Sequence, residues 1–272
     1  MDDPGSPVGC FGRCTADSNN GLFSPFSPPL KHLLYNGTVE LEFKDKPYHA
    51  YYANGEKVPS VTTILKVVSK GDALTWWAVN QTVEFFRSQL QGEISSETLE
   101  EIFKAAKFAH RAKKEEAAGI GTIAHQWLEK HLRGETPDEL PANEAAANSV
   151  RAALDWLSKH HHEPVAIESR IYSKKFFYAG TLDYLSRVDG DLCVCDWKTS
   201  TGLWPEYFFQ TAAYVHAHEE ESGQKIDGRW LLRIDKVTGQ FEELFLPRST
   251  LSKDFKAFKG ALALYERLKE LK

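Results

Sequence analysis

Two hydrophobic periods run through the chain and change places near residue 160. Residues 39–43 read Val-Glu-Leu-Glu-Phe, a strict alternation that puts the apolar side chains on one face of an extended strand. Residues 44–47 carry turn chemistry and 48–52 return, so a hairpin is predicted over 38–53. Pro59 and Ser60 then open a helix. Ser60 suits the N-cap before Val61 and Ile64, because its hydroxyl can accept an otherwise orphaned backbone N–H. From about 72 to 160 the spacing is helical. Leu74, Trp77, Val79, Val83 and Phe86 make one apolar stripe, and further helices are predicted over 97–117, over 123–132 following the glycines at 119 and 121, and over 143–160, with a loop at 134–141.

The period then falls to two. Strands are predicted at 165–172, 178–188 and 192–199, with turns at 173–175 and 189–191. A helix over 205–219 is followed by strands at 228–234 and 241–246, joined through 237–239. A last helix starts after Ser249, with Phe255, Phe258, Leu262, Tyr265 and Leu268 on its inner face. No internal repeat is present. The order helix, three strands, helix, strand predicts an α/β fold, a mixed central sheet flanked by helices, with an added N-terminal helical region. The expected division is a flexible arm over 1–37, rich in Gly, Pro, Ser and Asn at its start, a hairpin and helical region over 38–118, and the main domain over 119–272.

A net charge of −5 argues against a sequence-independent coat for nucleic acid, which carries a basic excess, but leaves room for a local basic track. There is no signal peptide and no apolar run of membrane-spanning length, so no membrane partner is expected. An intracellular protein is expected, in the cytoplasm of a bacterial or phage-infected cell, an organelle staying open. Cys10 and Cys14 form a weak C-x3-C signal, whereas Cys193 and Cys195 share a strand face and read as small core hydrophobes, so no iron–sulfur cluster is expected. Serine and cysteine hydrolases find no support, for want of a G-x-S-x-G elbow or a Cys–His pair.

The chemistry concentrates in Asp183 and in Asp196-Trp197-Lys198. Asp196 and Lys198, two apart on a strand, point to the face that also carries Leu192 and Val194, where two charges are costly unless they serve a site. The turn at 189–191 makes the two strands antiparallel neighbours, bringing Asp183 near Asp196. Paired carboxylates repel, and a divalent cation such as Mg2+ resolves that repulsion while activating water and polarising a phosphate. Lys198 would hold the attacking water and offset transition-state charge. Asp-x-Lys alone reads more simply as a salt bridge on a hairpin.

The wider context is more specific. Gly180-Thr181-Leu182-Asp183, Asp196-Trp197-Lys198-Thr199-Ser200, Gln210 with Tyr214, and upstream Gly121-Thr122, His125 and Glu129 together resemble the nuclease domain of RecB-type and phage exonucleases in the PD-(D/E)XK superfamily, over about residues 119–246. That branch includes recombination exonucleases, CRISPR-associated nucleases and mitochondrial genome-maintenance exonuclease. The resemblance implies a restriction-endonuclease-like core and a metal-dependent DNA nuclease, an exonuclease on linear DNA ends in recombination, repair or phage DNA metabolism. An endonuclease of the same fold, a non-catalytic DNA-binding protein on it, and another metal-dependent phosphodiesterase are the alternatives.

By the resemblance, Asp183, Asp196 and the main-chain oxygen of Trp197 are metal ligands and Lys198 the catalytic lysine. His125 adds a nitrogen ligand, which favours Mn2+ beside Mg2+ as one or two ions, although a lone helix histidine is more often structural. Gln210 and Tyr214 shape the site and share a helix face. Glu129 would bind metal or orient His125, or simply pair with Lys130 or Arg133. Glu168 matches a frequent glutamate of the branch, with a solvated strand residue as the plainer alternative. DNA is the expected partner, and a recombination or single-strand-binding protein an open one; oligomeric state stays open. Lys104, Lys107, Arg111 and Lys114 would line one face of a helix as a DNA track, unless they are a plain solvated face. Trp204 is placed to stack a base. Residues 58–65 resemble a leader of phage nucleases and carry no chemistry of their own; lining a substrate channel is one option.

Overall fold

The structure, a computed structural model, describes residues 31–45, 49–68, 72–135, 139–235 and 239–272. The described residues begin with a small antiparallel sheet in the order β1 (Lys31–Leu34), β2 (Val39–Lys44), β3 (Ala50–Ala53) and β4 (Glu56–Val58). The alternation at 39–43 holds, with Val39 and Leu41 buried. Asn54 and Gly55, both at positive φ, turn β3 into β4, a strand the sequence reading did not include. Residues 31–37, expected as the end of an arm, are instead β1 and its turn. The rest of that arm, with Cys10 and Cys14, lies outside the described residues.

Ser60 caps α1 (Val61–Ile64) by accepting the N–H of Thr63 at 3.0 Å. A single 3₁₀ turn, Leu65–Val67, follows. Residues 58–65 weld the two sheets together: the Ala179 N–H donates to the Pro59 carbonyl at 3.0 Å, beside the Gly180-Thr181 approach to the site, and Val61 and Ile64 enter the main core.

The main sheet runs β5 (His162–Ser173), β6 (Tyr178–Val188), β7 (Asp191–Lys198), β8 (Gly228–Ile234), β9 (Phe241–Pro247). Only β7 and β8 pair in parallel, and α6 (Pro205–Ser222) is the crossover a parallel pair needs. It is therefore the mixed sheet expected from the order of elements. Part of the turn at 237–239 lies outside the described residues. One face packs on α1, α6 and α7 (Arg248–Glu270), through Leu182, Leu185, Leu192 and Val194. The other packs on α4 (Ala109–Leu132) and α5 (Glu144–Lys159), through Tyr184, Cys193, Cys195 and Trp197. Cys193 and Cys195 are buried free thiols on one face, as expected. On α7, Phe255, Phe258 and Leu262 are buried as predicted, but Leu268 is exposed.

The helical region departs further from expectation. The helix predicted over 97–117 is two: α3 (Ser96–Ala106) ends at Lys107, Phe108 takes φ −110° and ψ 0°, and α4 then continues unbroken through Gly119 and Gly121. The division expected between 118 and 119 thus falls inside one helix. The apolar stripe of α2 (Asp72–Gln89) is only partly covered: Leu74, Val79 and Val83 are exposed, while Phe86 meets Phe103 of α3 at 4.9 Å between ring centroids.

Gly121 is in α4 for proximity. A Cβ there would lie 2.7 Å from Thr199 Oγ1, whereas a Cβ at Gly119 meets nothing within 4 Å. The same substitution therefore has opposite effects two residues apart. Gly119→Ala is expected to stabilise by up to about 1 kcal/mol, the helix-propensity gain. Gly121→Ala is expected to destabilise by about 1–3 kcal/mol through overpacking. Chemical denaturation of both variants checks this, and equal midpoints would show that α4 does not press on Thr199.

Candidate functional site

The site forms where the β6–β7 ladder ends. The last pair is Tyr184↔Cys195. One step on, the Trp197 N–H donates to a side chain, Asp183 Oδ2, at 3.0 Å. The same register continued would set Asp183 opposite Asp196, as the sequence implied.

Strand β6 loses its alternation at that point. Leu182 and Leu185 both face α6 and α7 although three residues apart, and Tyr184 faces α5. Regular alternation would put 182 and 184 on one side. On the neighbouring strand Glu168 has φ 48°. A left-handed backbone at a non-glycine residue costs about 1–3 kcal/mol and tends to mark functional positions.

From the α4 side, His125 Nε2 lies 3.1 Å from the Trp197 carbonyl oxygen and Nδ1 lies 3.7 Å from Asp183 Oδ2. A carbonyl only accepts, so the tautomer satisfying this contact carries its hydrogen on Nε2 and keeps the Nδ1 lone pair toward Asp183. One ligand atom each from His125, Glu168 and Asp183 lie within 4.8 Å of one another.

From the α6 side come Asp196, Lys198 and their supports. Asp196 is fully buried and ion-paired to Lys198, and Gln210 Nε2 donates to Asp196 Oδ1 at 3.5 Å and to the Tyr214 hydroxyl at 2.8 Å. The Lys198 ammonium stands 5.0 Å from the ring centre of Tyr207. Tyr207, Gln210 and Tyr214 share one face of α6 at spacings of three and four. Gly180 makes room for this face: a Cβ there would sit 2.7 Å from Tyr214 Cε1. Thr181 is tied to the small sheet by a 2.8 Å hydrogen bond with the Tyr51 hydroxyl.

The electrostatics record an excess of negative charge. Burial, then Asp183 and Glu129, push the Glu168 carboxyl up to about 8. Burial raises Asp196 to about 6 against the pull of Lys198. Burial works to lower the Lys198 ammonium, but Asp196 and Asp183 outweigh it and leave it raised. Lys198 is thus a cation at neutral pH, whereas the Arg133 guanidinium only partly offsets the acidic surroundings of Glu168.

Eight of the expected positions meet here: His125, Glu168, Asp183, Asp196, the Trp197 carbonyl, Lys198, Gln210 and Tyr214. Two are engaged differently from expectation. Asp196 faces Lys198 and stands outside the donor trio, where Glu168 takes its place, and the Trp197 carbonyl meets His125. Glu129 pairs with Arg133 at 2.9 Å, one of the alternatives the sequence left open. The basic track is not one helix face: Lys104 lies on α3, Lys107 at its C-cap, and Arg111 and Lys114 on α4, all exposed. Trp204 is half-buried at the N-cap of α6, above Gly202. Tyr207 was missed, although its spacing of three from Gln210 signals it. Arg133 was seen only as a salt-bridge partner.

No protein-family model matches the chain, and no curated protein matches it. Among solved structures, an alkaline exonuclease from Laribacter hongkongensis aligns with 54% of this chain and 81% of its own at 15% identity, with a TM-score of 0.28. The crystal structure of SSO0001 aligns with 68% of this chain and 84% of its own at 14% identity, with a TM-score of 0.26.

Proposed function

We propose that the chain is a divalent-cation-dependent deoxyribonuclease that hydrolyses phosphodiester bonds, acting as an exonuclease on linear DNA ends. The observation that carries this reading is the convergence of His125, Glu168 and Asp183 beside the buried Asp196–Lys198 pair. One imidazole and two carboxylates are a donor set for Mg2+ or, given the nitrogen, Mn2+. The raised Glu168 carboxyl fits as well, because burial first and the acidic neighbours second push it up, and a cation would offset both. A cation held there supplies the Lewis acidity that phosphodiester hydrolysis needs.

The chain's own residues do the rest. Asp183, Glu168 and His125 would hold the cation, and the Nε2–H of His125 braces the imidazole against the Trp197 carbonyl. Lys198, fixed by Asp196 and the Tyr207 ring, donates hydrogen bonds to the attacking water and to the phosphate oxygen that gains charge. Gln210 and Tyr214 hold Asp196 in place. Water adds to phosphorus and the bond to the leaving sugar oxygen breaks.

The direct test uses end-labelled linear and circular DNA, single- and double-stranded, with Mg2+, Mn2+ or EDTA. Linear substrate is expected to disappear only with the cation. Asp183→Asn and Lys198→Ala are each expected to lose activity by at least about 100-fold, the scale of removing one transition-state stabiliser. Parent-like activity of Lys198→Ala would remove its role, and equal loss of circular substrates would replace exonuclease by endonuclease. A second test needs no substrate. Glu168→Gln removes the cost of burying a carboxyl that must be neutralised beside Asp183 and Glu129, so its melting temperature without cation should rise by about 2–4 °C, roughly 1 kcal/mol in a domain of this size. It should also lose most of the gain that the parent shows on adding Mn2+. A Mn2+ response equal to the parent's would take Glu168 out of the donor set.

A further inference from the structure

The left-handed backbone at Glu168 has an identifiable support. Strand β5 pairs with β6 at Ile167↔Tyr184 and Ser169↔Leu182, on either side of Glu168. The carbonyl of Ile167, whose peptide leads into Glu168, accepts a hydrogen bond from Arg133 Nη2 at 3.2 Å. Arg133 is itself held, its Nε and Nη2 donating to Glu129 Oε1 at 3.1 and 2.9 Å. His125, Glu129 and Arg133 are spaced by four, so one row along α4 and its C-cap carries both the histidine and this strut.

We propose that Arg133 is a positioning residue for the cation site: clamped by Glu129, it holds the Ile167–Glu168 peptide so that the Glu168 carboxylate stands beside His125 and Asp183. This rests on reading those three residues as a cation site. As a stabilising device the Glu129–Arg133 pair is weak, because an exposed i,i+4 pair contributes only about 0.3–0.5 kcal/mol. As a charge near the site, Arg133 repels a cation. Charge alone therefore predicts tighter cation binding when Arg133 is neutralised. Positioning predicts weaker binding, since Glu168 loses the contact that keeps it in its costly conformation.

Titration calorimetry of Mn2+ against the full chain separates the two. Arg133→Ala is expected to weaken Mn2+ binding by about 10-fold or more, the usual effect of removing a residue that orients a metal ligand. Its cation-free melting temperature should stay near the parent's. Arg133→Lys, which keeps the charge and a donor, should bind close to the parent. If Arg133→Ala does not fold, Arg133→Gln carries the same test. Unchanged or tighter Mn2+ binding in the neutral variants overturns the proposal and leaves the cation site standing, whereas a parent that binds no Mn2+ overturns both.

Discussion

The site depends on one hydrogen bond, from the main-chain N–H of Trp197 to the Asp183 carboxylate. A buried N–H needs an acceptor, and in a continued ladder a strand carbonyl would supply it. Asp183 supplies it from a side chain, so the two strands stop pairing after Tyr184↔Cys195. Side chains that a regular sheet keeps on opposite faces meet in that interruption. His125 arrives from the α4 face, and Asp196 and Lys198 from the α6 face. A regular sheet would separate these groups by its own thickness.

Charge is then distributed unevenly. Lys198 serves Asp196 and Arg133 serves Glu129, while Glu168 and Asp183 share the His125 imidazole. Such an arrangement costs stability: a raised carboxyl and a left-handed residue both oppose folding. The core around it is built to bear this. Trp197 turns its side chain away from the site into a cluster with Trp156, ring edge to face at 5.8 Å, so the same residue anchors β7 and presents its carbonyl to His125. Arg233 fixes the segment beyond β7 by donating to the Ser200 carbonyl at 3.0 Å.

What could be read from the sequence follows from which interactions are periodic. Strands β6 to β9 and helices α5 to α7 were legible from the lengths of their apolar segments and the turn residues between them, although β7 and β8 are buried almost continuously. The pairing of Asp196 with Lys198 was legible because both sit at even positions with Leu192 and Val194. Single-residue decisions were not. Gly121 read as a helix boundary, yet it lies inside α4 because Thr199, distant in sequence, presses on it. The lost alternation at Asp183 and the positive φ of Glu168 break a rule that the surrounding residues obey, and no composition marks them. The single helix face expected for the basic track was misread for a related reason: its four cations keep helical spacing across a break at Phe108 that divides them between α3 and α4.

Helix α4 shows why these local departures belong together. Gly121, His125, Glu129 and Arg133 follow at intervals of four, and all but Glu129, which holds Arg133, meet the sheet in order: Thr199 beyond β7, then Trp197 and Asp183 on β7 and β6, then Ile167 on β5. Four helical residues advance about 6 Å along the axis, and the row they form is inclined by about 26° to it. Strands lie about 4.8 Å apart. A helix laid across three strands can therefore address them in turn with members of one row. The close approach at Gly121 sets the height of the helix at one end, and Arg133 fastens it at the other. The histidine between them is then placed by both contacts. A slide of α4 by one residue would lose all of these meetings at once, so the position of His125 is set by the docking of the whole helix.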